Sequence, residues 1–468
     1  LKVSTPKEYG KTGGKLGWEG VALHQRVKIR PLTTYTMSLK VYNQNTVGLT
    51  ADYAFLMPLA GTLRNNESLA ILRFAEKPTG KWVEKAMSFQ TGRYHDFIVI
   101  SVETRWNGGT LFFDDVRLVE GGKLELSPWD RVVPEDRLLK VRHEFPRPDQ
   151  ASVVRRFAQR HQLAEKNYRG DGSWESTDTL SGKPGGEKQP PDLRAVYQRV
   201  EGYLGAWAAT GTMIYRKRAI EGCDYLLTVQ HEDGTIGDPY YSSGQAGRAL
   251  VHAFQHLGHQ RFLNAVARVT VHFNGADASW NYNYNMMLTD AALSWAQAAG
   301  KFDVVAAKLQ GEMLQSTLRE QRPWGGWPGH NSRIGYHCAN LQALCQLYRT
   351  LPEHSRNAVL RTRLRKQVTA GLNRMVVEQT AEGGFPFVHG QPGTARQNSG
   401  ITPALIAIHT TFGWKEARQL LYGHLSYLST DACGRYYWLP QRRTFLDMSR
   451  LHAEGMYLGW AKEHPAVR

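Results

Sequence analysis

The stretch QRPWGGWPGHNSRIGYH, residues 321–337, gathers His330, Asn331, Arg333, Tyr336 and His337 with Trp324 and Trp327, and it holds no carboxylate. Upstream, SWNYNYNMM (279–287) alternates Asn281, Tyr282, Asn283 and Tyr284, and GDPYYSSGQ brings Asp238, Tyr240 and Tyr241. These residue types share a chemistry. Amide and guanidinium donors neutralise a carboxylate and so acidify the neighbouring C–H. An imidazole takes that proton, and a phenol protonates the departing oxygen. The set suits β-elimination on a uronate. Under that chemistry Asn331, with Arg333 or Asn283, neutralises the carboxylate. His330 or His337 is the base, and Tyr282, Tyr284 or Tyr241 is the acid. Hydrolysis of a glycosidic bond asks instead for two carboxyl groups roughly 5–10 Å apart. Glu175 or Asp178 with Asp238 could form such a pair, so hydrolysis stays open. The residues expected to hold substrate are Asn281, Asn283, Arg333, Trp324, Trp327 and Tyr240, with Arg396, Tyr437 and Trp438 from later turns.

Other chemistries find less support. The seven-residue spacing of His330 and His337 matches no common zinc pattern. A phosphate-binding loop and a dinucleotide fingerprint are both missing from the sequence, which argues against nucleotide chemistry, and catalysis is expected to need no cofactor. Lys plus Arg number 58 against 42 Asp plus Glu, a formal net charge of +16. Such a field concentrates polyanions. No nucleic-acid-binding motif accompanies it, so an acidic polysaccharide is the expected partner and nucleic acid is not. No apolar run approaches the ~20 residues of a membrane span. The chain begins with Leu rather than Met, which fits removal of a leader and a secreted or periplasmic protein. Cys223, Cys338, Cys345 and Cys433 form no CxxC pair and read as small buried hydrophobes.

Two kinds of pattern position these residues. Residues 1–122 alternate with period two, as in HQRVKIRP, YTMSLKVYNQ, YHDFIVISVETRW and TLFFDDVRLVE, and predict an antiparallel β-sandwich. The phrases VALHQRVKIRPLTTYTMSLKVY and GTLFFDDVRLVE give this part a resemblance to the jelly roll of carbohydrate-binding modules. That resemblance implies a structural calcium at Asp114 or Asp115. Trp18, Trp82 and Trp106 would either stack on sugars or fill the core.

A linker over 123–149 precedes helical periodicity over 150–468. Helix pairs are expected at 193–210 with 212–230, 243–258 with 261–273, 285–300 with 302–321, 333–351 with 355–379, and 401–412 with 415–429. Unpaired helices near 150 and over 448–462 would close a sixth pair. Gly-centred turns recur at Gly172, Gly234, Gly275, Gly325, Gly383 and Gly434, read as helix stops on one rim. This half resembles the (α/α)6 toroid of polysaccharide lyases and certain glycoside hydrolases and uronyl epimerases. YYSSGQAGRALVHAFQHLGHQRFLNAV is similar to the helical domain of uronyl epimerases and unsaturated-uronyl hydrolases. The whole reads as a β + α multidomain chain: an N-terminal jelly-roll β-sandwich, then an (α/α)6 toroid. Its expected activity is a polysaccharide lyase acting on a uronate-containing chain. Hydrolase, epimerase and non-catalytic glycan binder are the alternatives.

Overall fold

The computed structural model describes residues 2–5, 21–44, 52–57, 70–74, 80–92, 95, 97–104, 109–122, 131–175, 193–279, 281–353, 357–387, 389, 400–430 and 440–465. Two compact units emerge. The first is Leu1–Arg131 with Leu318–Pro323 and Trp327–Gly329; the second takes the remainder, Val132–Thr317, Trp324–Gly326 and His330–Arg468.

In the first unit the strands are β1 (Lys2–Thr5), β2 (Val21–Lys28), β3 (Thr34–Asn43), β4 (Asp52–Met57), β5 (Ala70–Phe74), β6 (Trp82–Gln90), β7 (Phe97–Thr104) and β8 (Gly109–Glu120). They form two antiparallel four-stranded sheets, ordered β1-β8-β3-β6 and β2-β7-β4-β5. This is jelly-roll connectivity. Strict alternation along β3 sends Met37, Leu39 and Val41 into a core shared with Phe89, Ile98, Ile100 and Phe113. Trp82 is not part of that core and stands 47% exposed; Trp18 and Trp106 lie outside the described residues.

The implied calcium does not fit. The Asp115 carboxylate already receives Lys40 Nζ at 2.9 Å and Arg117 Nε at 2.5 Å, and Asp114 Oδ1 accepts the Asp115 N–H. Two cations stand where a metal would have to sit. Among the described residues, no group of three or more His, Cys, Asp or Glu side chains gathers to hold a metal ion.

The second unit holds the helices α1 (Gln150–Glu165), α2 (Leu193–Thr210), α3 (Met213–Thr228), α4 (Tyr241–Leu257), α5 (Gln260–Gly275), α6 (Tyr282–Ala299) and α7 (Asp303–Ala306). After α8 (Glu312–Glu320), whose last turn clusters with the first unit, come α9 (Ile334–Thr350), α10 (Ala358–Glu378), α11 (Ile401–Phe412), α12 (Lys415–Ser429) and α13 (Pro440–Glu463). Neighbours pack in the cycle α2, α4, α6, α9, α11, α13 and back to α2, which is a closed inner ring. Each inner helix carries an outer one: α3, α5, α7, α10, α12 and, for α13, α1. This is the (α/α)6 toroid, closed as the sequence implied by its first and last helices. The third outer arm differs from the single helix expected there. Gly311, extended at ψ −178°, ends a short 3-10 turn and separates α7 from α8. Residues 132–149 are irregular but held: Asn373 donates to the Pro134 and Arg137 carbonyls and accepts the Leu139 N–H, and Gln419 accepts the Phe145 N–H.

Two sets of glycines punctuate the ring. Gly211, Gly258, Gly300 and Gly413 follow inner helices with φ of 66–73° and open space around them, the left-handed stop of a helix. Gly172, Gly234, Gly325 and Gly383 precede inner helices with φ of 87–89° and were expected to be such stops too. They are something else. A Cβ on each would lie 2.0–2.4 Å from a carbonyl oxygen of the next outer helix, namely of Glu221, Arg268, Ala370 and Gly423. Close approach, not capping, demands glycine here. Gly275 is simply the last residue of α5, and Gly434 lies outside the described residues.

Candidate functional site

Every inner helix starts just after a connection from an outer one, so all six inner N-termini share one rim. The Asn-Tyr alternation is the entry to α6: Asn281 is its N-cap and Tyr282 its first residue. The alternation therefore winds at helical pitch instead of flattening into a strand. Tyr282, Asn283 and Asn285 turn inward and are buried, while Tyr284 stays half-buried. Asn285 fastens the preceding chain, accepting the Ser279 N–H at 2.8 Å and donating to the Ser279 carbonyl at 2.9 Å.

His330 and Asn331 sit in a single 3-10 turn, Gly329–Ser332, and Arg333 is the N-cap of α9. Asn331 is fully buried, and its Oδ1 accepts the Asn283 N–H at 2.9 Å. It ties this turn to the start of α6. His330 remains half-exposed, its ring stacked on Tyr336 with centroids 4.3 Å apart. Arg333 lies 6.0 Å from the Tyr336 ring and 5.4 Å from that of Phe387. Tyr241 and Tyr284 meet at 5.7 Å, and the Arg194 guanidinium stands 5.3 Å from the Tyr241 ring. Tyr284 feels the charge of Tyr336, and both phenols feel Tyr241 and Arg194. The half-buried group is thus Arg194, Tyr241, Tyr284, His330, Arg333 and Tyr336, drawn from the starts of α2, α4, α6 and α9.

Its electrostatics are graded. Burial, with the Arg333 charge beside it, pushes the His330 imidazole down to about 4, so it is neutral at ordinary pH. Burial raises the phenols of Tyr284 and Tyr336, helped by Tyr336 in the first case and Tyr241 in the second. They stay protonated and suit donation rather than abstraction. Asp238 reaches Tyr284 electrostatically, but its Oδ1 accepts the N–H groups of Tyr240 and Tyr241 at 3.0 and 2.6 Å. Glu175 is half-buried on the turn before α2, and Asp178 lies outside the described residues.

Several expected roles do not survive burial. His337 is 0% exposed, with Nε2 3.1 Å from the Gly371 carbonyl inside its own hairpin, and burial drives it far below the usual imidazole range. It is no base for a substrate. Tyr282, Asn281, Asn283, Asn331 and Trp327 are at most 1% exposed and cannot touch a sugar. Trp324 is engaged by His389, stacked at 3.7 Å, and by Arg374 at 4.8 Å. Tyr240 is tethered through its hydroxyl to the Asp277 carbonyl at 2.7 Å. Arg396, Tyr437 and Trp438 lie outside the described residues. The residue that pattern reading missed is Arg194. Its signal was available: it occupies the first turn of α2, the position that Tyr241 and Tyr284 hold on α4 and α6.

No protein-family profile matches the chain, and no curated protein matches its sequence. Solved structures match its fold. An unsaturated glucuronyl hydrolase mutant from Streptococcus agalactiae aligns with TM-score 0.51 at 10% identity, covering 70% of this chain and 98% of that one. An unsaturated glucuronyl hydrolase specific for heparin aligns with TM-score 0.50 at 11% identity, covering 68% and 98%. A polysaccharide lyase aligns with TM-score 0.49 at 12% identity, covering 68% and 99%. At such identities the likeness concerns the scaffold alone.

Proposed function

We propose that the toroid is a polysaccharide lyase that cleaves a uronate-containing chain by β-elimination. One observation carries this reading: two guanidiniums, three phenols and a neutral imidazole converge on the rim where six helix N-termini point. The partial positive charge of those termini favours an anionic substrate, as does the chain's net charge of +16.

Arg194 and Arg333 would hold the uronate carboxylate and draw charge from C5. His330, neutral, takes the C5 proton; the freed pair forms the C4–C5 double bond and the C4–O4 bond breaks. Tyr284 protonates O4, with Tyr336 orienting His330 through the ring stack. Buried Asn331 positions the turn and does not meet the carboxylate. Hydrolysis is less favoured, because Asp238 is the carboxylate beside these phenols among the described residues and it is already spent on two backbone N–H groups. A secreted or periplasmic setting would suit such a substrate.

The test is a panel of glycosaminoglycans, alginate, pectate, ulvan and glucuronan, read by ultraviolet absorbance of the unsaturated uronate. His330→Ala and Tyr284→Phe should each lower the rate by about 10²–10⁴-fold. New reducing ends without absorbance would overturn elimination and direct mutation to Asp238 and Glu175. Exchange of solvent deuterium into C5 without cleavage would mark an epimerase.

A further inference from the structure

The turn that carries His330 is held from two sides. Asn331 ties it to α6, and a buried cation of the outer helix α10 holds its far end. Arg374 Nη2 donates to the Ser332 carbonyl at 2.5 Å. That carbonyl ends the 3-10 turn of His330 and immediately precedes Arg333. The first turn of α9 does not use it, since the N–H groups of Tyr336 and His337 both go to the Arg333 carbonyl, at 3.1 and 2.9 Å. The connection before α11 joins the same point. The His389 N–H reaches the Ser332 carbonyl at 3.4 Å, and the Ile334 N–H reaches that of Phe387 at 3.0 Å.

What holds Arg374 is not what stability alone would choose. Glu378 lies one turn on, its Oε2 3.1 Å from Arg374 Nε, and both side chains are 1% exposed. An apolar pair of similar volume would avoid the desolvation of two charges. Glu378 is also the last residue of α10, where the helix dipole disfavours a carboxylate. Its Oε1 receives His389 Nδ1, and the His389 ring stacks on Trp324, which lies 4.8 Å from the Arg374 guanidinium. Burial pushes the Glu378 carboxyl up, but Arg374 and His389 bring it below its usual range, so the pair is ionised. The paired glycines of PWGGW fit this arrangement. A Cβ on Gly326 would strike the Trp324 ring at 1.9 Å and Arg374 Nη1 at 2.5 Å.

We propose that Arg374, held by Glu378, is a positioning residue: by fixing the Ser332 carbonyl it sets how His330 and Arg333 face the rim. The kinetic consequence rests on the elimination reading; the geometric one does not. In full-length protein, Arg374→Met/Glu378→Met removes both charges and leaves neither unpaired, so thermal unfolding should stay close to that of the wild type. The His330 ring should nevertheless lose its half-buried seat. Its midpoint, read from the carbon-bound imidazole proton resonance, should rise from about 4 by about one pH unit or more. On a cleaved uronate chain, kcat should fall about 10²-fold, the effect of a slightly misplaced reacting group. Gly326→Ala deletes no polar group yet displaces Trp324 and Arg374, so it should move both readouts the same way and covers the case in which the double variant does not fold. An unchanged His330 midpoint in a folded variant would overturn the proposal, whatever the rate does. If the wild type cleaves no uronate chain, the elimination reading fails, and the midpoint still decides whether Arg374 sets His330.

Discussion

A histidine that must accept a proton at the start of turnover has to be neutral first. His330 meets that need through partial burial and the adjacent Arg333 charge, which hold it at about 4. The acid limb of kcat/KM should therefore fall near pH 4 rather than near the ordinary histidine value. Removing the cation in Arg333→Gln should raise the His330 pKa, read as the midpoint of its imidazole carbon-bound proton resonance. An unchanged midpoint would leave burial as the whole cause. The stability sign follows from the same shift. The folded pKa lies below the unfolded one, so the unfolded chain binds more protons between about 6.5 and 4, and this contribution fades as pH falls through that window. The residue types of the site were legible in the sequence. Their exposure was not: Tyr282 and Tyr284 read alike, yet two helical steps rotate one inward and the other to the rim.

At the level of single elements, the helices were the most readable part, since 3.6-residue periodicity survives without knowledge of neighbours. The glycines were not. Gly258 and Gly234 both have positive φ; sequence spacing puts Gly258 at the end of the helix over 243–258 and Gly234 in a turn, and reads Gly234 as a helix stop too. Only the neighbour differs. A Cβ at Gly258 meets nothing within 4 Å, while one at Gly234 would strike the Arg268 carbonyl at 2.4 Å. Gly258→Ala should cost the left-handed backbone term alone, about 1–2 kcal/mol. Gly234→Ala adds a collision with backbone that cannot swing aside, bringing the loss to roughly 3 kcal/mol or more. Urea denaturation of the two variants checks the difference, and equal losses would remove the close-approach explanation.

For the molecule as a whole, ring closure rests on charge and on small residues. Glu201 of α2 is fully buried and accepts Arg248 Nε and Nη2 of α4 at 2.8 and 2.7 Å; His252 and His452 approach at 2.9 Å each. Asp290 of α6 stands 3.8 Å from Arg248. Four of the inner helices thus meet at one buried cluster, including α2 and α13 across the seam. At that seam Gly202 and Gly205 face Gly455 and Gly459, where a Cβ on Gly455 would lie 2.0 Å from the Gly202 carbonyl. Burial pushes the Glu201 carboxyl up, but Arg248 and the two histidines bring it well below its usual range. Its stabilisation is therefore present above the unfolded carboxyl range and is lost as pH falls through the depressed folded value. Glu201→Gln leaves Arg248 buried against a neutral amide and should cost about 3–5 kcal/mol. The same variant should flatten the acid side of the stability profile. A variant as stable as wild type at neutral pH would show that the glycine seam alone closes the ring.

The β-then-α order, the helix pairs and the closure of first against last helix were all written in local periodicity, which depends on each segment's own side chains. Chemistry-bearing residue types were equally visible. Which of them face substrate was not, because exposure depends on what the next hairpin places alongside. Asn331 is consumed by a backbone N–H from α6, forty-eight positions away in sequence. Arg194 joins Tyr241 only because α2 and α4 are neighbours in the ring. Arg374 reaches the Ser332 carbonyl from forty-two positions downstream. Contacts between distant segments are set by packing, and packing is a property of the folded chain, not of any stretch of it.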